Sequence, residues 1–255
     1  MRQIRASTAL LETGWQDDVL VSVDENGLIA AVEKLNGESP SEEAVRVGIL
    51  LASPPNVHSH AFHRAMAGLT ERRGPNSSDS FWTWRQLMFR FLDRLTPGQV
   101  EAIAAFVQME MLEAGYATNV EFHYLHHQPG GIPYANPAEM AERITAATAR
   151  TGIGLTLLPV HYQYGGCDKR PLGTGQIRFG NDIDRFAELH AASANALKAL
   201  PGDCTMGVAP HSLRAVAFDD LKRHREIAGS NPLHMHLAEQ IAEVEKCWRF
   251  TASVR

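Results

Sequence analysis

The strongest constraint on the fold is an alternation that begins near residue 51. Short apolar runs rich in β-branched residues alternate with amphipathic helical patterns, and polar residues, many of them histidines, close the runs. The first run leads into "PPNVHSH" at 54–60. A helix is expected over "PGQVEAIAAFVQMEMLEAG", opened by Thr96 and Pro97 and closed by Gly115. The strand "YATNVEFHY" follows. Asn136-Pro137-Ala138-Glu139 then reads as an N-cap with proline at the first helical position, opening a helix that runs to Gly152. Next come strand "GLTLLPV", a loop with four glycines between 165 and 175, and helix "NDIDRFAELHAASANALKAL". Strand "TMGVAP", helix "AFDDLKRHREIAG" and strand "LHMHLAE" complete five β/α repeats. Such a series implies a parallel sheet covered by helices. The polar residues fall at the C-terminal ends of the strands, where barrel active sites are built, so a (β/α)8 barrel is expected over a doubly wound sheet.

Residues 1–50 have a different texture. "VLVSVDENGLIAAVE" holds two β-rich runs around Asp24-Glu25-Asn26-Gly27, a hairpin signal, and "NGESPSEEA" reads as an exposed loop. The expected organisation is therefore part of a small β domain over 1–50, of the β-sandwich kind, followed by a partial (β/α) barrel over 51–255.

Charge and cysteine usage narrow the function. A net charge of -5 gives no electrostatic reason to expect nucleic acid or an anionic membrane as partner, which leaves a small molecule. No apolar run reaches the roughly 18 residues of a membrane span. Met-Arg-Gln-Ile-Arg leads into mixed polar residues, so no secretory leader is expected. Cys167, Cys204 and Cys247 are far apart and odd in number, against a disulfide framework. The expected location is cytoplasmic, and a homodimer is compatible with such a chain.

Twelve histidines, clustered at 58/60/63, 123/126/127 and 234/236, raise the expectation of a metal enzyme. In an extended segment His58 and His60 point the same way and can converge on one cation; the bland alternative is a pair of exposed loop histidines. "HMHLAE" supplies His234, His236 and Glu239 at another strand end, where Glu239 is either a proton shuttle or a cap for the next helix. "APHSLRAV" places His211 and Arg214 at a third strand end. The guanidinium fork suits a substrate carboxylate, and pairing with an acidic neighbour is the alternative. "FHYLHH" carries His123, Tyr124, His126 and His127, most of the histidines read as loop residues without a role. "SFWTWRQLMFRF" sets Phe81, Trp82, Trp84 and Phe89 around Arg85. The aromatic stripe reads as core, and a buried arginine among apolar neighbours calls for an anion. Neither a phosphate-binding glycine loop nor a nucleophile elbow is present, which leaves metal-activated water as the most economical chemistry.

Taken in order, the N-terminal β segment, Asn-x-His-x-His at 56–60 and His-x-x-Glu at 236–239 resemble the amidohydrolase superfamily. "HSHAFHRAMAGL", "SFWTWRQLMFRFL", "EFHYLHH", "GVAPHSLRAV" and "HMHLAEQ" together look like the formimidoylglutamate deiminases of histidine degradation, up to about Cys247. The resemblance implies zinc-dependent hydrolysis of N-formimidoyl-L-glutamate to N-formyl-L-glutamate and ammonia. His58, His60 and His236 would hold the zinc, Glu239 would move protons, and Arg85, Tyr124, His211 and Arg214 would hold the substrate. His63 stands where the family usually has glutamine, a substrate-facing position, and is also a candidate competing metal ligand.

The family further places a catalytic histidine after strand six and a metal-binding aspartate after strand eight, beyond residue 255. Little deiminase activity is accordingly expected of these 255 residues alone. Read one base later from the third base of Cys247, the codons permit a continuation resembling what the family has next, so a frameshift near codon 247 is expected. The alternatives are a related amidohydrolase acting on another amidine or an aminated ring such as guanine, and a non-catalytic remnant that binds metal weakly.

Overall fold

The computed structural model describes residues 2–37, 43–70 and 80–252. The chain divides into two compact units, Met1–Pro54 and Pro55–Arg255.

In the first unit, β1 (Arg2–Leu11), β2 (Gly14–Val23), β3 (Ile29–Lys34) and β4 (Val45–Leu50) form a sheet in the order β3-β2-β1-β4. The β1–β2 and β2–β3 pairs are antiparallel and β1–β4 is parallel. Of the β-sandwich expected here, the described residues form this one sheet. The Asp24–Gly27 hairpin turn forms as read. The Asp24 carboxylate accepts from the Asn26 and Leu28 amides at 2.9 Å each, and Gly27 takes φ +82°, which glycine adopts without steric cost. The expected loop at 36–44 falls mostly on residues 38–42, outside those described.

In the second unit, β5 (Pro55–Ser59), β6 (Thr118–His123), β7 (Gly154–His161), β8 (Thr205–Met206) and β9 (Ala209–Pro210) are all parallel. Between them run α1 (Phe81–Leu92), α2 (Pro97–Glu113), α3 (Glu139–Thr151), α4 (Ile183–Leu197) and α5 (Asp220–Ala228), and α6 (Ile241–Ala252) follows. This is the expected strand-and-helix alternation of a partial barrel. Phe122, Leu155, Leu157, Leu158 and Val160 are at most 1% exposed, because β6 and β7 have neighbours on both sides and helices outside.

Three details differ from the sequence expectation. "TMGVAP" breaks into β8 and β9 at Gly207, where an added Cβ would lie 2.5 Å from both Leu158 Cδ2 and the Pro232 carbonyl. "LHMHLAE" is extended but forms only an isolated bridge, Val208 to Leu233. Its amides still join the ladder: His234 N–H donates to the Val208 carbonyl at 3.0 Å and His236 N–H to that of His211 at 2.9 Å. The helix expected to start at Asn136 starts at Glu139, because Asn136 turns the chain first, accepting the Ala138 amide on its side chain at 3.0 Å. By contrast, Thr96 caps α2 as read and closes a capping box with Gln99.

The end of α1 shows how the site's neighbourhood is held. Arg178, 2% exposed, donates to the Leu92 carbonyl, to that of Leu95 at 3.0 Å and to that of His127 at 2.8 Å. A cation on the last carbonyls of a helix satisfies acceptors left without intrahelical partners and complements the helix dipole. That fixes the helix carrying Arg85.

Candidate metal and substrate site

His58 and His60 sit at the end of β5, and His236 lies on the extended segment beside β9. Their imidazoles meet. His58 Nε2 is 3.1 Å from both His60 Nε2 and His236 Nε2, and the three ligand atoms all lie within 4.8 Å of one another. Three lone-pair nitrogens so placed fit a divalent transition metal such as zinc. For His60 an outer contact selects the right tautomer: its Nδ1 is 2.9 Å from the Phe122 carbonyl, so Nδ1 carries the hydrogen and Nε2 the lone pair. Burial pushes all three histidines below their ordinary pKa, His236 to about 4. Neutral imidazole is the form that ligates. His236 Nδ1 is buried without a hydrogen-bond partner.

A buried carboxylic acid supports this loop. Glu121, on β6 and 1% exposed, accepts the Ala61 amide at 2.7 Å, directly after His60. Burial raises its pKa to about 7. In the sequence, Glu121 is marked only as an acid inside the apolar run "NVEFHY", which does not by itself point to this role.

The other expected site residues converge beside the histidines. One cavity is lined by His63, Arg85, Tyr124, His211, Arg214 and Glu239, together with His60 and His236. Arg85, expected to be buried, is instead half-buried on the cavity wall; its NH2 donates to the Tyr162 hydroxyl at 2.9 Å and its guanidinium lies 4.9 Å from the Phe89 ring centre. Of the aromatic stripe, Trp84 and Phe89 pack against the core, and the Trp82 side chain is outside the described residues. His63 fills the corner between His60 and Trp84, at ring distances of 4.8 and 5.2 Å, and burial lowers its pKa to about 4. Tyr124 and His211 are buried, the Tyr124 hydroxyl 3.5 Å from Met88 Sδ and His211 Nδ1 3.0 Å from the Ser212 hydroxyl.

Arg214 already has anions. Its NH2 donates to Glu239 at 2.5 Å and its NH1 lies 2.5 Å from a Glu243 oxygen. Both alternatives raised for Arg214 thus meet in one place: it faces the cavity and is paired with acids. Ala238, at φ +58°, makes the turn that swings Glu239 out of the extended segment toward Arg214. Of the histidines mostly expected in a loop, His126 and His127 do lie in the loop after β6 and His123 ends that strand, and all three are buried. His126 and His127 ring nitrogens reach the Val160 and Gly180 carbonyls at 2.9 Å, and none of the three lines the cavity.

No family model matches the chain. It is 43% identical over 249 residues to the formimidoylglutamate deiminase of Pseudomonas aeruginosa, an alignment covering 97% of this chain and 54% of that protein. The crystal structure of an amidohydrolase from Brucella melitensis superposes with a TM-score of 0.93 at 44% identity, covering 99% of this chain and 55% of that one. Guanine deaminase from C. acetobutylicum, with bound guanine in its active site, shares the fold at a TM-score of 0.72 and 13% identity over 99% of this chain and 56% of its own. The chain spans about half the length of these relatives.

Proposed function

From this chain's membership of the amidohydrolase superfamily, as a close relative of formimidoylglutamate deiminase, we propose that it carries the metal-binding and carboxylate-recognising part of a site that hydrolyses N-formimidoyl-L-glutamate to N-formyl-L-glutamate and ammonia. The observation that carries this is the meeting of His58, His60 and His236 beside a cavity walled by Arg85. These histidines would hold the metal, zinc by the chemistry of the donor set. When bound, such a cation supplies Lewis acidity and makes nearby water easier to deprotonate.

The protein groups divide the remaining work. Arg85 offers its guanidinium to a substrate carboxylate, which sets the amidine end toward the histidines. Glu239, on the cavity wall, would pass one proton from the attacking water to the amidine nitrogen and then the second, from the resulting C–OH, to the same nitrogen, so the amidine C=NH becomes C=O and ammonia leaves. The Arg214 contact fixes the direction of the Glu239 side chain. His211, Tyr124 and His63 close the cavity around the substrate.

The second reading, an aminated ring such as guanine, has the shared fold in its favour. An arginine on the wall favours an acyclic dicarboxylate instead. Calorimetric titration of the zinc-loaded chain separates them: N-formimidoyl-L-glutamate is expected to bind, more weakly in Arg85→Met, while guanine does not. Binding of guanine but not of the dicarboxylate would replace this reading with the other.

A further inference from the structure

We propose that the Tyr162 hydroxyl is a further carboxylate-recognition group of this site, aimed by Gln176. The inference rests on the reading above and deepens it.

Donor and acceptor roles decide it. The Gly173 amide can only donate, and it meets Gln176 Oε1 at 3.0 Å, so the Gln176 amide nitrogen must be the group that faces Tyr162. That nitrogen donates to the Tyr162 oxygen at 2.7 Å, and Arg85 NH2 donates to the same oxygen at 2.9 Å. Both lone pairs of the phenol are then engaged. Its one hydrogen remains, and neither of these partners can accept it. Tyr162 is 2% exposed and stands on the cavity wall with Arg85, His211 and Arg214. A buried donor without an acceptor is costly, so the cavity is built for a ligand that brings one. The acceptor is anionic because Arg85 stands beside the hydroxyl: one carboxylate of the substrate spans the guanidinium and the phenol O–H.

The glycine-rich loop at 165–175 now has a purpose that its composition alone did not show. An added Cβ at Gly175 would lie 2.4 Å from Cγ of the Phe89 ring, so only glycine lets the loop close on α1 and deliver Gln176 to Tyr162. Tyr162 thus touches the substrate, and Gln176 is a positioning residue.

The test is binding of N-formyl-L-glutamate and of two probes each lacking one carboxylate, N-formyl-L-2-aminobutyrate and N-formyl-4-aminobutyrate, to the zinc-loaded chain. Tyr162→Phe is expected to weaken the dicarboxylate about 10-fold or more, the scale of one hydrogen bond to a charged acceptor. It should leave unchanged the probe that lacks the carboxylate Tyr162 holds. Gln176→Leu, which retains the hydroxyl, should show a smaller loss with the same probe pattern, so the test stands even where Tyr162→Phe fails to fold. Equal weakening of all three ligands, or none in either variant while Arg85→Met weakens binding, overturns the role of Tyr162 alone. Failure of the wild-type chain to bind the dicarboxylate overturns the underlying reading as well.

Discussion

At the scale of single residues, Glu121 makes a pH-dependent prediction. Its folded pKa of about 7 lies above the usual 4.5, the consequence of burial, so the unfolded chain ionises first as pH rises. Its contribution to stability is therefore fully present below about pH 4.5, is lost as pH rises to about 7, and stays lost above that. A rise of this size corresponds to about 3 kcal/mol. In the metal-free chain, Glu121→Gln should gain stability relative to wild type by up to that amount between pH 5 and pH 8, measured by urea unfolding. A pH-independent difference would show that the carboxyl ionises normally. Legibility at this scale followed chemistry. The histidines and Glu239 announced themselves by residue type at strand ends, and Arg85 as a lone arginine among aromatic neighbours. Glu121, Tyr162 and Gln176 did not, because their roles depend on which backbone amide or side chain lies opposite.

Among the elements, what was readable was local. Thr96-Pro97 marked the start of α2, and the cap and its box with Gln99 formed. Thr96→Ala should cost about 1 kcal/mol, the ordinary worth of such a cap. Arg178 was not readable, since a lone arginine in "GQIRFG" gives no sign that the carbonyls ending α1 will surround it. Arg178→Met would strand the Leu92, Leu95 and His127 carbonyls in the interior, and a loss of about 3 kcal/mol or more is expected in chemical unfolding. A loss under about 1 kcal/mol would show that those carbonyls find other donors. The extended segment 233–239 was legible as a strand from its apolar alternation, yet bears only one bridge, because ladder pairing is a property of neighbours and not of the segment itself.

At the scale of the whole molecule, the parallel order of β5 through β9 gathers residues 58, 60, 85, 124, 211, 214, 236 and 239 around one end of the strands, although the sequence separates them by up to 181 positions. The alternation of strands and helices made that gathering foreseeable, because parallel strands all present their C-terminal ends on one side. None of the helices in the described residues is long and apolar enough to cross a membrane. The central claim is that His58, His60 and His236 form one metal site beside a carboxylate-binding cavity. Calorimetric titration of zinc into the metal-free chain tests it most directly, alongside His58→Ala, His236→Ala and His63→Gln. About one zinc per chain is expected for wild type and for His63→Gln, with strongly weakened binding in the two alanine variants. Zinc binding that survives both alanine substitutions, or is absent from wild type, would contradict the account.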